Sequence, residues 1–257
     1  MSISIEQIKE LRDATGVSMM ACKTALEEAG GDFEAAIDVL RKKGEAKAVD
    51  RASRETGQGA VFIASEGSKS AMLKLACETD FVARGDDFAE LGALLLSKVM
   101  SGELTSPETE IPEIKDAGLK FGENLQVSGV VVYDSGVSGG YIHSNKKIGV
   151  LVNLDGGNEE LAKDISMHVA ATAPDFLSPE EVSEELVARE KSVWIDQLKA
   201  EGKPEEIMEK IMMGKEKKYR EENALLKQAF VKNPDVTIEQ LLADSGAKIN
   251  GFTRFSI

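Results

Sequence analysis

The sequence contains few of the residues on which disulfide frameworks and metal sites depend. Cys22 and Cys77 are the only cysteines, and His143 and His168 are the only histidines, among 257 residues. Two cysteines are too few for a disulfide framework and are typical of a reducing compartment. Because no CxxC or HExxH spacing occurs, we expect no metal site.

The chain also lacks an excess of positive charge and a long hydrophobic run. Its 31 Lys and Arg residues face 45 Asp and Glu residues, which gives a formal net charge of −14. A protein that follows nucleic-acid phosphates needs a basic surface, so this balance argues against nucleic-acid binding. No window approaches the ~18 uninterrupted apolar residues that a membrane helix needs, and the first residues do not have the pattern of a signal peptide. We therefore expect a cytoplasmic protein without direct contact to nucleic acid or membrane.

Residues 1–56 have the pattern of three short helices followed by a linker helix. Ser4 begins a capping box, Ser18 is placed to cap a second helix, and Asp32 is placed to cap a third. Apolar residues recur at helical spacing in these segments, and glycines separate them. The pattern predicts a small three-helix bundle, in which Cys22 is a core residue and not a nucleophile.

Beyond the linker, the apolar residues change from a helical to a strand-like pattern. Residues 57–139 predict a first core subdomain, in which the strands AVFIAS and KSAMLKLACE precede the helix FAELGALLLSKV, capped by Asp86 or Asp87. A comparable order recurs in residues 140–178, with GYIHSN and IGVLVNLDGG before EELAKDISMHVA. We interpret the two segments as a weak internal duplication of a hairpin followed by a helix.

Residues 179–227 return to the helical period and predict an inserted helical hairpin. Ser178-Pro179-Glu180-Glu181 has the sequence of a helix start, and Val193 belongs to the apolar side of the first helix. The pattern leaves open whether the hairpin packs on the core or projects as an arm that self-associates. Residues 228–257 are predicted to return to the second core subdomain and to end in an edge strand. The whole chain is therefore assigned to the α+β class, with antiparallel sheets.

Signatures of catalysis and nucleotide binding are weak or missing. Gly136-Val137-Ser138-Gly139-Gly140 matches GxSxG, but a nucleophile elbow needs a strand before it and a helix after it. Since the strand-like GYIH follows, we interpret the match as a glycine turn. Gly57-Gln58-Gly59 lacks the third glycine of a dinucleotide fingerprint, and no GxxxxGK occurs. We expect no catalytic residue and no bound cofactor.

Two short segments remain as candidates for binding. Residues 79–82, TDFV, follow an apolar strand, so a loop there carries a bulky aromatic side chain beside an acid. In most loops of this kind the aromatic ring turns into the core and the acid is an ordinary turn residue, which are the alternative roles for Phe81 and Asp80. Met19 and Met20 begin the second helix, where they either pack in the bundle or form a flexible, polarizable contact patch.

Taken together and in order, the motifs of the chain resemble those of the elongation factor Ts family. The resemblance covers nearly the whole chain and rests on IKELRDATGVSMMACKTALEEAGGDFEAAIDVLRKKGEAKA, CETDFVA, GYIHSNKKIGVLV, DISMHVAATAPDFLS, GKPEEIMEKIMMGK and FVKNPDVTIEQLL. It implies a ubiquitin-associated-like three-helix N-terminal domain, two related α+β core subdomains and an inserted helical dimerisation element. Segment 107–115 is shorter than in longer members. Some members also add a C-terminal helix beyond Ile257, whose contacts are not carried over.

The resemblance also implies a function in translation elongation. It implies a guanine nucleotide exchange factor, without covalent chemistry, that binds the GDP form of elongation factor Tu, disturbs its Mg²⁺ and phosphate site, and lets GTP replace GDP. A homodimer through the hairpin is a further implication. The residues that the family pattern places at Mg²⁺ are Thr79, Asp80, Phe81 and Val82. Those that it places against the GTPase are Met19, Met20, Lys23 and His143.

Two other classes of function remain open from the residues alone. The N-terminal bundle would serve as a ubiquitin-associated-like helical binding scaffold without exchange activity if residues 1–56 alone bound a partner. A hydrolase would need Ser138 together with one of the two histidines.

Overall fold

The computed structural model describes residues 3–51, 53–109 and 111–257, and all of their side chains except those of 45–50 and 206. Residue 110, in the shortened segment 107–115, lies outside the described residues. Helices and small sheets alternate along the chain, which confirms the α+β class. No helix in the described ranges is long and apolar enough to cross a bilayer.

Three helices form the N-terminal bundle: α1 (Ile5–Thr15), α2 (Met19–Glu28) and α3 (Phe33–Arg51). The three predicted caps are confirmed: Ser4 forms a capping box, the Ser18 side chain accepts from the backbone of α2, and Asp32 Oδ1 accepts from Ala35 N at 2.8 Å. Each cap satisfies backbone N–H groups that the first helical turn leaves without a partner. The bundle core contains Ile8, Leu11, Val17, Cys22, Ala25, Leu26, Ala36 and Leu40.

The first sheet has the strand order β1-β2-β3, from β1 (Gln58–Glu66), β2 (Lys69–Cys77) and β3 (Gln126–Tyr133). β1 and β2 pair antiparallel without a register shift, from Gln58 opposite Cys77 to Glu66 opposite Lys69. Helix α5 (Asp86–Ser101) packs on this sheet through Phe88 and Leu95, both fully buried. The short helix α4 (Asp80–Ala83) precedes it, and α6 (Pro112–Phe121) leads into β3.

The start of α5 differs from the prediction. Its N-cap is Gly85, which has an extended backbone and no side-chain cap, whereas Asp86 and Asp87 lie in the first turn. The reason is that Gly85 N already bonds to Val82 O at the end of α4, so the chain enters α5 one residue earlier. The two carboxylates then stabilise the positive end of the helix dipole instead of capping it.

The second sheet has the order β4-β5-β8, from β4 (Val137–Ile142), β5 (Ile148–Asp155) and β8 (Lys248–Ser256). Helix α7 (Glu159–Thr172) follows β5 and contributes Ile165 and Val169 to a separate core. A strand pair, β6 (Ala229–Phe230) with β7 (Asn233–Thr237), and helix α10 (Ile238–Asp244) complete this part. The predicted terminal strand is confirmed, and it lies at the edge of its sheet.

The predicted helical hairpin is present as α8 (Glu184–Ala200) and α9 (Glu205–Glu222), but two details differ. Helix α8 begins after Ser183, whose side chain caps it, because Pro179–Glu181 forms a separate 3₁₀ turn. Val193 is exposed, and the buried residues of α8 are Val187, Trp194 and Leu198. The two ends of the insert are joined, since Phe176 and Ala224 form a parallel bridge.

The chain forms two compact units. The first comprises Met1–Val132, Ile142–Gly149 and Phe255–Ile257, and the second comprises Tyr133–Tyr141 and Val150–Arg254. The finer division at residues 56, 139, 178 and 227 stays a prediction.

Candidate functional site

The segment around Phe81 is a short helical turn that starts directly after strand β2. We call residues 79–83 the Phe81 turn. Thr79 is its N-cap, with an extended backbone, and the Thr79 side chain accepts from Val82 N at 3.4 Å. Val82 and Ala83 pack against the core of the first sheet. Phe81 is 85% exposed, so the structure rejects the arrangement in which this ring turns into the core.

Asp80 is also at the surface, and its charge is already paired. Its Oδ2 lies 3.0 Å from Nη2 of Arg84, one helical turn further along the chain. Both side chains are substantially exposed, so the pair contributes little to folding stability. Its main effect is to restrict the orientation of the carboxylate beside Phe81.

The base of the turn is held by a residue that the sequence analysis missed. Glu123 follows α6, and its carboxylate accepts from the backbone N–H groups of Glu78 and Thr79, at 3.0 and 3.1 Å. Its other oxygen accepts from the Thr79 hydroxyl at 2.5 Å. A separation of more than 40 residues along the chain leaves no local pattern that could have predicted this contact.

Cys77, at the end of β2, supports the same turn and is chemically inert. Burial, with the nearby carboxylates of Glu123 and Glu78, raises the pKa of the Cys77 thiol to about 11. The thiol therefore stays protonated near neutral pH, and it donates to Thr79 O, with Sγ and O 3.3 Å apart. A protonated, buried thiol is a poor nucleophile, so Cys77 is a structural residue.

The second predicted group lies at the N-terminal end of α2. Met20 is 72% exposed, whereas Met19 is half-buried and packs against the bundle core. The interpretation in which both methionines pack in the bundle is therefore wrong for Met20. Lys23, one turn further, is exposed, with its Nζ 3.7 Å from Glu27 Oε1. Met20 and Lys23 together present an apolar, flexible side chain beside a solvated positive charge.

The third predicted residue, His143, lies in the loop between β4 and β5. Its side chain is exposed. Its backbone is fixed at both ends, because His143 N donates to Ile148 O at 2.9 Å and His143 O accepts from Lys146 N at 2.8 Å. Lys146 takes a positive φ of 58°, which lets the loop turn back sharply into β5.

The structure places the three predicted groups in the same compact unit but on separate elements. The Phe81 turn is on α4, Met19, Met20 and Lys23 are on α2, and His143 is on the β4–β5 loop. They form no enclosed catalytic pocket. Phe81, Met20 and His143 each present an exposed side chain at the surface.

The arrangement that a serine hydrolase needs is not assembled from Ser138 and His168. Ser138 lies in strand β4, not in a glycine turn as predicted, and its hydroxyl accepts from Asn153 Nδ2 at 2.8 Å. His168 is fully buried; its Nε2 donates to Gln228 Oε1 at 2.9 Å and its Nδ1 accepts from Val231 N at 3.3 Å. Both ring nitrogens are therefore occupied by structural partners, and burial lowers the pKa of the imidazole.

The residues within the described ranges also include no cluster of three or more His, Cys, Asp or Glu side chains that could hold a metal ion.

Comparisons with known proteins identify the family of the chain. The family described as Elongation factor TS matches residues 78–257. An elongation factor Ts of Hydrogenobaculum sp. is 42% identical over 273 residues, covering 100% of this chain and 99% of the relative. Those of Idiomarina loihiensis and Pseudomonas syringae pv. tomato are 41% and 43% identical, covering at least 99% of this chain and 91% of each relative. The chain therefore belongs to the elongation factor Ts family.

Proposed function

We propose that this protein is the guanine nucleotide exchange factor of elongation factor Tu, and that it promotes release of GDP by inserting Phe81 beside the Mg²⁺ site of the GTPase. The observation that carries the proposal is the 85% exposure of Phe81 on a turn whose base is fixed. An exposed phenylalanine is unfavourable in water. Burial of such a ring against a partner recovers about 1.5–3 kcal/mol.

The physical basis of exchange is the weak hold that a GTPase has on its Mg²⁺. The ion is bound by few protein oxygens together with phosphate oxygens and water, so a small shift of its surroundings loosens both ion and nucleotide. Phe81 supplies a rigid aromatic wedge for such a shift. Asp80 is paired with Arg84 at 3.0 Å, and both side chains are substantially exposed. Such a surface pair opens at little cost, and the released carboxylate then disfavours the phosphates.

Additional contacts would hold the two proteins together while the wedge acts. Met20, on α2, has the exposure and flexibility of a contact residue, and Lys23 adds a positive charge next to it. His143 extends from a loop with a fixed backbone toward the phosphate-binding region of the GTPase. Because these contacts lie apart from Phe81, they supply affinity, whereas Phe81 supplies the disturbance of the nucleotide site.

The proposal includes the assembly and the location of the protein. The protein acts in the cytoplasm in translation elongation, without covalent chemistry, a cofactor or direct nucleic-acid contact. The N-terminal bundle is a ubiquitin-associated-like binding domain. The hairpin exposes Val193, Ile207 and Met213, and this apolar surface supports weak self-association into a homodimer while the core binds the GTPase one to one.

Thermodynamic linkage provides the test of this function. If the protein weakens nucleotide binding by some factor, nucleotide must weaken the binding of the protein by the same factor. Purified protein and nucleotide-free elongation factor Tu should therefore form a complex in gel filtration, and GDP with Mg²⁺ should disperse it. Absence of a complex, or a complex whose stability is independent of GDP, would contradict the proposed function.

A further inference from the structure

We infer that Glu123 is a positioning residue for nucleotide exchange: it fixes the Phe81 turn in the orientation that delivers Phe81 to the GTPase. This inference rests on the proposed function. It concerns a residue outside the TDFV segment, about 40 residues further along the chain, whose carboxylate is already bonded to the start of the Phe81 turn.

The position of Glu123 is set by the end of helix α6. Gly122 takes a left-handed conformation, with φ of 73°, and its N–H caps the helix by donating to Gly118 O. A left-handed residue at this point turns the chain sharply, and glycine adopts it without steric cost. The next side chain, Glu123, is therefore directed back to the end of strand β2.

The three hydrogen bonds that Glu123 accepts all act on the start of the Phe81 turn. Two come from the N–H groups of Glu78 and Thr79, which precede the helix and have no intrahelical acceptor. The third comes from the Thr79 hydroxyl, the group that also caps the turn at Val82 N. One carboxylate thus satisfies the backbone before the turn and orients the side chain that starts it.

Residues 78–79 and residues 123–124 are linked a second time, with donor and acceptor exchanged. Glu78 Oε1 accepts from Asn124 N at 2.7 Å, and Asn124 Nδ2 donates to Arg54 O at 3.0 Å. Glu78 and Glu123 therefore each accept from the backbone of the other's segment. Charge-assisted hydrogen bonds are stronger and more directional than neutral ones, so the reciprocal pair fixes the orientation of β2 relative to the end of α6.

Phe81 depends on this link because it has little packing of its own. At 85% exposure, the ring is not held by neighbours, and a four-residue helix is too short to be stable without outside contacts. Its direction is set by the packing of Val82 and Ala83 on one side and by the Glu123 contacts at its start. Loss of the carboxylate leaves the core packing in place but releases the start of the turn.

The matched change is Glu123→Gln, which preserves size but loses the charge and one acceptor oxygen. The amide oxygen can accept from Glu78 N and Thr79 N only if the amide NH2 group faces the Thr79 hydroxyl, which then accepts a bond instead of donating one. All three contacts become neutral and weaker, and the Thr79 hydroxyl loses its acceptor. We expect the maximal rate of GDP release at saturating exchange factor to fall roughly 10-fold, since small misplacements of a positioned group cost factors of this size or more. The half-saturating concentration should change little, because the contacts through Met20 and Lys23 remain.

Two controls separate positioning from a general loss of structure. Glu103→Gln removes an exposed carboxylate of the same unit that pairs with Lys98 at 3.1 Å, and it should leave both kinetic parameters unchanged. In the Phe81→Ala background, Glu123→Gln should cause little further slowing, since the residue acts through Phe81. Hydrogen exchange at the amides of Glu78 and Thr79 should be faster in Glu123→Gln than in the wild type.

The outcomes are distinguishable from failure of the proposed function. If the wild type does not accelerate GDP release, the proposed function fails. If the wild type is active and Phe81→Ala is slow, but Glu123→Gln releases GDP at the wild-type rate, the positioning role is overturned. Equal proportional slowing by Glu123→Gln with and without Phe81 would also overturn it, because the two residues would then act independently.

Discussion

Replacement of Phe81 by alanine should separate exchange activity from folding stability. In the folded protein the ring is 85% exposed, so truncation removes only a small part of the 1.5–3 kcal/mol that full burial of such a side chain contributes. We expect the free energy of unfolding to change by no more than about 0.5 kcal/mol. The anchoring residues of the turn, Val82 and Ala83, are unaffected.

The effect on exchange should be much larger. If Phe81 becomes buried beside the Mg²⁺ site, it is a hot-spot residue, and its loss should cost at least about 1.4 kcal/mol, or a factor of ~10 in the rate of GDP release. The deficit should shrink when a chelator removes Mg²⁺ from the GTPase, because the wedge then has no ion to displace.

Stopped-flow release of fluorescent GDP from elongation factor Tu, with and without chelator, measures both effects. Leu94→Ala is the matched control, since Leu94 is another exposed apolar residue of the same unit, on helix α5. A wild-type rate in Phe81→Ala at saturating concentration would refute the wedge. A large loss of stability in urea unfolding would refute the conclusion that the ring is not part of the core.

Three further predictions concern other parts of the chain. Met20→Ala should weaken binding to elongation factor Tu with little loss of stability, since Met20 is 72% exposed; the equally exposed Met213→Ala should bind normally, and equal affinities would exclude a contact at Met20. Replacement of helices α8 and α9, residues 184–222, by a short linker keeps the bridge between Phe176 and Ala224 and should abolish concentration-dependent self-association in sedimentation, whereas monomers in both samples would exclude a dimer through the hairpin. Burial lowers the pKa of His168 in the folded protein. Below pH about 6.5 the unfolded chain therefore binds more protons than the folded chain, and the free energy of unfolding should decrease as the pH is lowered. His168→Gln should show a smaller loss in urea midpoint between about pH 7.5 and about pH 5.5, and an equal loss would contradict this.

Sequence reasoning succeeded where local chemistry determines the structure. The caps at Ser4, Ser18 and Asp32 follow from side chains that bond to backbone groups within three residues, and such contacts depend little on the remainder of the fold. The hairpin of β1 and β2 likewise follows from a short turn between two apolar runs. The three-helix bundle and the α+β class were therefore predictable.

The errors occur where tertiary context overrides a local signal. Asp86 and Asp87 have the chemistry of a cap, but the hydrogen bond of Gly85 to the preceding turn fixes an earlier start. Val193 fits a helical apolar pattern, yet α8 buries Trp194 and leaves Val193 exposed. Patterning restricts which face of a helix is apolar, but the neighbouring elements determine which residues are buried.

The candidate site was accessible to sequence reasoning only in part. The motif indicated residues 79–82, but whether Phe81 faces solvent depends on how Val82 and Ala83 pack against the core. Glu123 could not be predicted at all, because its contacts join segments more than 40 residues apart. Long-range hydrogen bonds of this kind depend on the folded arrangement and leave no periodicity in the sequence.

The rate of GDP release from elongation factor Tu, measured in excess Mg²⁺ over a range of concentrations of this protein, tests the central claim most directly. The account predicts that the wild type accelerates release in a saturable manner, and that Phe81→Ala reaches a maximal rate at least ~10-fold lower. A release rate that does not depend on the concentration of the wild-type protein would contradict it.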